Sequence, residues 1–217
     1  AAYPWQVVET SWQGKQIDLK REDKGLNRVK VESWITHSIA QGLFEQSGLD
    51  LEKLKKEALH AEFKPLIMQG LSLKARLNNT IRFASSHNVG AVKKGSLRPN
   101  EYILMMAHWD HLGTKEEQSG DNIYNGAVDN ATGVAGILEL AETLNDYDNE
   151  RSLLYLAVTA EESGLLGSAY FAEYPPVDLS QVVAGFNFDA MHPRGKVKDV
   201  VVVGYGASQL EDILNRK

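Results

Sequence analysis

The sequence predicts an α/β fold with a mixed, largely parallel sheet flanked by helices. Three observations predict it. From about residue 79 onward, short apolar runs alternate with segments of helical periodicity. The runs at Tyr102 to His108, Leu153 to Ala160 and Val182 to Phe188 are nearly continuous, as strands buried on both faces are. Between the first two lie Val134, Ile137, Leu138, Ala141 and Leu144, the i, i+3, i+4, i+7 set of a helix lying on a sheet.

Taken in order, Tyr3 to Thr10 reads as a strand, and Trp5, Trp12 and Trp34 suggest buried packing in the first third of the chain. Trp34, Ile35, Ile39 and Leu43 predict a helix over Glu32 to Gln46, closed near Gly48. Asp50 caps a second short helix, Leu51 to His60. Thr80 to Lys93 reads as a strand, and Gly95-Ser96 with Arg98-Pro99-Asn100 as a turn into the strand Tyr102 to His108, which makes the pair a hairpin. Asn130 caps the sheet-facing helix, Leu153 to Ala160 is a strand, and Leu165 to Glu173 is a helix stopped by Pro175-Pro176. Val182 to Phe188 and Val200 to Val203 are further strands, and Ser208 to Arg216 is a last helix. The expected organisation is an N-terminal segment, 1–78, followed by a domain over 79–217.

Composition narrows what such a domain can do. The 217 residues are 43% hydrophobic and 24% charged, the balance of a folded globular chain. The 23 basic and 29 acidic side chains leave a net charge of −6, and no basic block exceeds Lys93-Lys94, so there is no electrostatic footprint for nucleic acid. No window approaches the roughly 18 apolar residues of a membrane span. The chain begins Ala1-Ala2-Tyr3 without an initiator Met, which suggests that a leader or upstream region was removed. Zero cysteines exclude disulfides, thiol nucleophiles and zinc-thiolate sites, so a metal would have to use His, Asp and Glu.

Those residue types gather where the strands end. The first buried strand runs into His108-Trp109-Asp110-His111, the second into Glu161-Glu162 and the third into Asp189; Asp129 stands just before a helix. Ligands in α/β sheets bind beyond the carboxyl ends of the strands, so these groups can converge. Clustered carboxylates raise one another's pKa unless positive charge neutralises them, and imidazole with carboxylate oxygen suits a hydrolytic zinc centre. Two metals need a bridging carboxylate, and one carboxylate must stay free as general base; Glu161-Glu162 fits that division. Against this stand plainer roles: His108 as a satisfied strand-end histidine, Asp129 as a helix cap, and Glu161-Glu162 as a solvated pair. If the strand persists past His108, His111 points elsewhere and is structural, and His192 is a loop residue. His37, His60 and His87 lack acidic partners at ligand spacing.

Four motifs resemble the zinc aminopeptidase family of co-catalytic metallopeptidases often called M28: Ala107 to Gly113 (AHWDHLG), Gly126 to Gly133 (GAVDNATG), Ala160 to Ser168 (AEESGLLGS) and Asn187-Phe188-Asp189. The resemblance implies a zinc aminopeptidase-like, phosphorylase/hydrolase-like fold and a zinc-dependent exopeptidase acting near a free N-terminus. Carried over by position, it makes Asp129 the bridge, His108 and Asp189 ligands of one zinc, Glu162 a ligand of the other and Glu161 the general base. Asp110, two residues after His108, would orient the imidazole. A cis peptide between Asp129 and Asn130 is implied as well.

Residues 1–78 resemble the stretch that precedes the catalytic domain in relatives carrying an inserted protease-associated domain, the end of that domain or the link from it. The family supplies its last ligand as a downstream histidine, and no histidine follows His192, so the fold is expected to be incomplete at the C-terminus. That expectation carries two zinc ions in the intact protein, one or none in this chain unless His111, His192 or a neighbouring chain replaces the ligand, a poor enzyme when isolated, and self-association through an uncovered sheet edge. The resemblance also implies a secreted or periplasmic protein with a peptide substrate. A carboxypeptidase or other amidohydrolase of the same family would share these residues, glutaminyl cyclases resemble the family too and use a single zinc, and a noncatalytic receptor-like relative would be expected to have lost ligands or base. Serine hydrolase and phosphate-loop readings fail because no Gly-x-Ser-x-Gly elbow and no Gly-x-x-x-x-Gly-Lys-Ser/Thr is present.

Overall fold

The structure, a computed structural model, describes residues 4–11, 14–23, 25, 26, 28–114, 120–192, 195, 196, 205, 206 and 208–215. The chain divides into two compact units, Ala1–Ser85 and Ser86–Lys217.

The described regular elements of the first unit are three helices, α1 (Trp5–Ser11), α2 (His37–Gln46) and α3 (Leu51–Glu57). The strand expected over Tyr3 to Thr10 is therefore α1. The Pro4 carbonyl accepts the Val7 N–H at 3.0 Å and Thr10 Oγ1 donates to the Gln6 carbonyl at 2.8 Å, so local bonds close helical turns despite the β-branched residues. α2 starts later than Glu32 because the Thr36 hydroxyl accepts the Ile39 N–H at 3.3 Å and caps the helix there. Trp34 and Ile35 precede that cap. Trp34 is 60% exposed and Trp5 37%, so the expectation of buried aromatic packing does not hold for them; Trp12 lies outside the described residues. α2 ends with the Leu49 N–H on the Phe44 carbonyl at 2.9 Å and the Gly48 N–H on the Glu45 carbonyl at 3.0 Å. Asp50 then accepts the Lys53 N–H at 2.9 Å and starts α3.

The second unit is built on a four-stranded sheet. Its strands are β1 (Val89–Lys93), β2 (Arg98–His108), β5 (Arg151–Val158) and β6 (Val182–Asn187), in the order β1-β5-β2-β6. A separate antiparallel pair, β3 (Gly113–Thr114) and β4 (Ile123–Tyr124), follows β2. β2 runs parallel to both β5 and β6, and β1 runs antiparallel to β5, so the sheet is mixed and largely parallel. Helices α4 (Ala131–Thr143) and α5 (Leu166–Glu173) pack on it, and α6 (Leu210–Leu214) lies within the expected last helix. The strand expected at Val200 to Val203 lies outside the described residues.

The expected hairpin does not form, and only the last part of Thr80 to Lys93 is a strand. β5 lies between β1 and β2 instead. It is the most buried strand, with Leu153, Leu154, Leu156 and Val158 each at 4% exposure or less, and a strand apolar on both faces gains most from neighbours on both edges. The connection between β1 and β2 is held to the entry of β5: Ser96 N–H donates to the Asn149 carbonyl at 2.9 Å and Gly95 N–H to Ser152 Oγ at 3.0 Å. Ser152, fully buried, donates in turn to the Pro99 carbonyl at 2.7 Å.

Alternation along β5 divides the core. Leu153 and Tyr155 face one way with Met105, Ala107 and Ile137 of α4; Leu154, Leu156 and Val158 face the other with Phe171 of α5. The Lys93 ammonium donates to the carbonyls of Leu144, Asn145 and Tyr147, satisfying the C-terminal end of α4 and tying it to β1. Among the described residues no helix is long and apolar enough to cross a membrane.

Candidate metal centre

Three parallel strands end side by side. His108 pairs with Val158 across β2 and β5, and Met106 pairs with Asn187 across β2 and β6, so the residues that follow those strands emerge together. His108 is 2% exposed. Its Nδ1 lies 3.0 Å from the Asp110 carbonyl oxygen, which can only accept, so Nδ1 carries a proton and Nε2 turns to the other side. There it meets Asp129 Oδ1 at 3.1 Å, Asp189 Oδ1 at 3.4 Å and Glu161 Oε2 at 4.0 Å.

Asp129 is brought in by the turn before α4. Gly126 carbonyl accepts the Ala131 N–H at 2.9 Å, and the peptide between Asp129 and Asn130 is cis, as the resemblance implied. Asn130, 2% exposed, caps α4 through the Gly133 N–H at 3.0 Å. The same side chain donates to the Phe188 carbonyl at 2.9 Å and accepts from the Ala190 N–H at 3.2 Å, so it grips the chain on either side of Asp189. Ala190 has a φ of +45° and Ala160 a φ of +54°; these left-handed turns stand next to Asp189 and Glu161. Thr159, just before that second turn, donates its N–H to Asn88 Oδ1 at 3.1 Å, while Asn88 Nδ2 donates to the Gly167 carbonyl at 2.7 Å.

Asp110 divides its work differently from the expectation. Its main-chain carbonyl orients the His108 ring, while its carboxylate, 3.8 Å from Nδ1, accepts the N–H groups of Glu161 at 3.0 Å and Glu162 at 3.3 Å. His111 is closer to the cluster than the sequence suggested: Nδ1 is 2.7 Å from Glu162 Oε1. β2 stops at His108, so strand alternation does not carry on to His111; the Trp109-Asp110 sequence after the apolar run was the available signal. His87 contributes a main-chain carbonyl, accepting from Trp109 Nε1 at 3.2 Å.

Burial disfavours a charged His108, but the Asp110 carbonyl and the carboxylates of Glu161, Asp189 and Asp110 outweigh it and hold the imidazole above the ordinary histidine range. Burial likewise pushes Glu161 above the ordinary glutamate range; His108 pulls it down, and Glu162, Asp189 and Asp110 add to the rise. Among the described residues, Asp129 Oδ1 is buried without a hydrogen-bond partner, facing the Nε2 side of His108. Only a proton on Nε2 or a cation reconciles those two atoms.

The donor chemistry fits a cation. The ligand atoms of His108, Asp129 and Asp189 all lie within 4.8 Å of one another, and so do those of His111, Asp129 and Glu162, the two groups sharing Asp129. Imidazole nitrogen and carboxylate oxygen without sulfur is the donor set of hydrolytic zinc.

The model of Peptidase family M28 matches residues 88–217. The chain is 28% identical over 120 residues to the Aminopeptidase YwaD of Bacillus subtilis (strain 168), covering 55% of this chain and 24% of that protein. It is 38% identical over 112 residues to a probable zinc metalloprotease of Pyrenophora teres f. teres, covering 51% and 23%. Among solved structures, an aminopeptidase from Aneurinibacillus sp. strain AM-1 is 32% identical, with a TM-score of 0.40 over 48% of this chain and 24% of that one. The chain thus spans about a quarter of the length of the curated relatives it matches.

Proposed function

Because this chain belongs to peptidase family M28, a family of zinc metallopeptidases, we propose that it carries the hydrolytic centre of a zinc-dependent aminopeptidase. The observation that supports this best is the meeting of His108 Nε2 with Asp129 at 3.1 Å and Asp189 at 3.4 Å, with a fourth group, Glu161, at 4.0 Å. In this reading His108, Asp129 and Asp189 would hold zinc, and Asp129 and Glu162 would contribute to holding a second ion. When bound, zinc supplies Lewis acidity and lowers the pKa of water toward about 7.

Glu161 is the general base. Burial raises its proton affinity above that of an ordinary glutamate, and it would take a proton from the attacking water and return it to the leaving amine. Asp110 holds the Glu161 and Glu162 main chain in place, so that the base and the ligand keep their separate directions. With its Nδ1–H on the Asp110 carbonyl, the neutral His108 ring would offer Nε2 to a metal. The peptide substrate, its free N-terminus and a location outside the cytoplasm belong to the same proposal and rest on the family resemblance.

The test is hydrolysis of an aminoacyl p-nitroanilide with and without an N-acetyl block, before and after chelation. The expected result is cleavage of the free amine only, lost with chelator and restored by zinc. Equal cleavage of the blocked compound would remove the aminopeptidase reading, and activity indifferent to chelation would remove the metal.

A further inference from the structure

We propose that Asn88 is a positioning residue for Glu161, holding closed the neck of the turn that carries it; this deepens the reading of the centre just given and rests on it. The turn runs from Thr159, after β5, to Gly167, in the first turn of α5. At its neck the Gly167 N–H donates to the Thr159 carbonyl at 2.9 Å. The remaining two groups of the neck reach each other through Asn88. Thr159 N–H donates to Asn88 Oδ1 at 3.1 Å, and Asn88 Nδ2 donates to the Gly167 carbonyl at 2.7 Å, so the side-chain amide is inserted between them and completes the closure.

The neck demands one acceptor and one donor a short reach apart, and an amide on a single methylene supplies both. Aspartate there would set a carboxylate oxygen against the Gly167 carbonyl, and alanine would leave a main-chain donor and a main-chain acceptor without their partner. Packing is as close as the bonding: Gly167 is buried, and a Cβ on it would collide with the Thr159 carbonyl oxygen and with Asn88 Oδ1. Just inside the neck Ala160 and Leu165 hold φ of +54° and +60°, a conformation that residues other than glycine keep only where their surroundings enforce it.

The residues before Asn88 act beside it. Ser86 Oγ and Thr159 Oγ1 share a hydrogen bond of 2.7 Å, and the His87 carbonyl accepts from Trp109 Nε1 at 3.2 Å. The tip of the turn is held separately, by the Asp110 carboxylate on the N–H groups of Glu161 and Glu162. Glu161 thus stands between two supports from different parts of the chain, Asp110 at the tip and Asn88 at the neck.

The experiment compares the 217-residue chain with Asn88→Ala, Asn88→Asp and Ser152→Ala. Ser152→Ala removes a buried hydroxyl bonded to Gly95 and Pro99 at the opposite end of β5, and so weakens the sheet without touching the turn. Amide hydrogen exchange is read by NMR at Glu161, Glu162, Gly164, Leu165 and Gly167, and in the ladder between β2 and β5. The expected result is exchange in the turn faster by about tenfold or more in both Asn88 variants, while Ser152→Ala speeds the ladder and leaves the turn at its wild-type rate. At saturating zinc both Asn88 variants should lose roughly 10–100-fold in kcat with KM unchanged, the cost of a displaced reacting group, and Ser152→Ala should keep wild-type kcat. Turn amides that exchange at the wild-type rate in the Asn88 variants, or that speed up equally in Ser152→Ala, would overturn the proposal and make Asn88 a contributor to overall stability only. Faster exchange with wild-type kcat would overturn it too, because the turn would then open at no cost to the base. Asn88→Asp keeps the bond to Thr159 and carries the test if Asn88→Ala does not fold. A wild-type chain that hydrolyses no aminoacyl p-nitroanilide would count against the aminopeptidase reading and not against the hold of Asn88 on the turn, which the exchange rates decide by themselves.

Discussion

The carboxylate of Asp110 accepts the main-chain N–H of Glu161 at 3.0 Å, so a residue from the end of β2 holds the turn that follows β5. Replacing it by asparagine turns an amide donor toward a position that now accepts, against the N–H of either Glu161 or Glu162. Asp110→Asn should lower kcat by roughly 10–100-fold, the range for groups that orient ligands from behind. Because the His108 ring is oriented by the Asp110 carbonyl, its Nδ1–H resonance should survive the substitution. Its disappearance from the proton spectrum would show that the carboxylate orients the imidazole after all.

Glu161→Gln preserves the shape of the side chain and removes the carboxylate proposed as the base. Zinc content should be unchanged and kcat should fall by roughly 10²–10⁴-fold, the contribution of a positioned base. Zinc lost along with activity would move Glu161 into the ligand set.

Asp129→Ala removes the carboxylate common to both donor groups. Zinc retention after desalting should fall far below that of Glu161→Gln. A chain that keeps its full zinc content without Asp129 would show that the carboxylate bridges nothing.

Asn130→Ala should be among the most destabilising single changes in the second unit. It removes a helix cap and leaves the Phe188 carbonyl and the Ala190 N–H without their buried partner, for a loss of about 2–4 kcal/mol in denaturant unfolding of the metal-free chain. Since those two groups flank Asp189, zinc affinity should weaken in the same variant. Unchanged unfolding would mean that the Asp129 and Asp189 loops hold their positions independently.

At Gly167 a methyl group would collide with the Thr159 main chain and the Asn88 side chain. Gly167→Ala should destabilise by about 1–3 kcal/mol, as overpacking does, and slow turnover by moving the turn that carries Glu161. Wild-type kcat in a destabilised variant would separate that turn from α5.

Much of the centre was legible before any coordinates because its signals are local. Each of the three apolar runs is a strand that stops at a polar residue, and His108, Glu161 and Asp189 stand at or just after those stops; β6, at the sheet edge, is more exposed than its apolar run suggested. The Asn130 cap and the apolar stripe of α4 likewise follow from residues close together in the chain. Helical spacing was less informative where a side chain could intervene: the Thr36 hydroxyl, not the apolar pattern around Trp34, decides where α2 begins.

What the sequence determined by itself is therefore which segments are the sheet's parallel strands, which helix lies on them, and which polar residues stand at their ends. Tertiary structure alone decided that β5 enters between β1 and β2, because strand order depends on which run most needs apolar cover on both sides. It decided the division of Asp110 between a carbonyl for His108 and a carboxylate for Glu161 and Glu162, since that depends on how the backbone turns once β2 has ended. It also decided the meeting of His111 with Glu162. The alternation of a strand predicts side-chain direction only while the strand lasts, and past its last hydrogen bond direction is set by contacts with residues far away in the chain, here Gly126 and Tyr124.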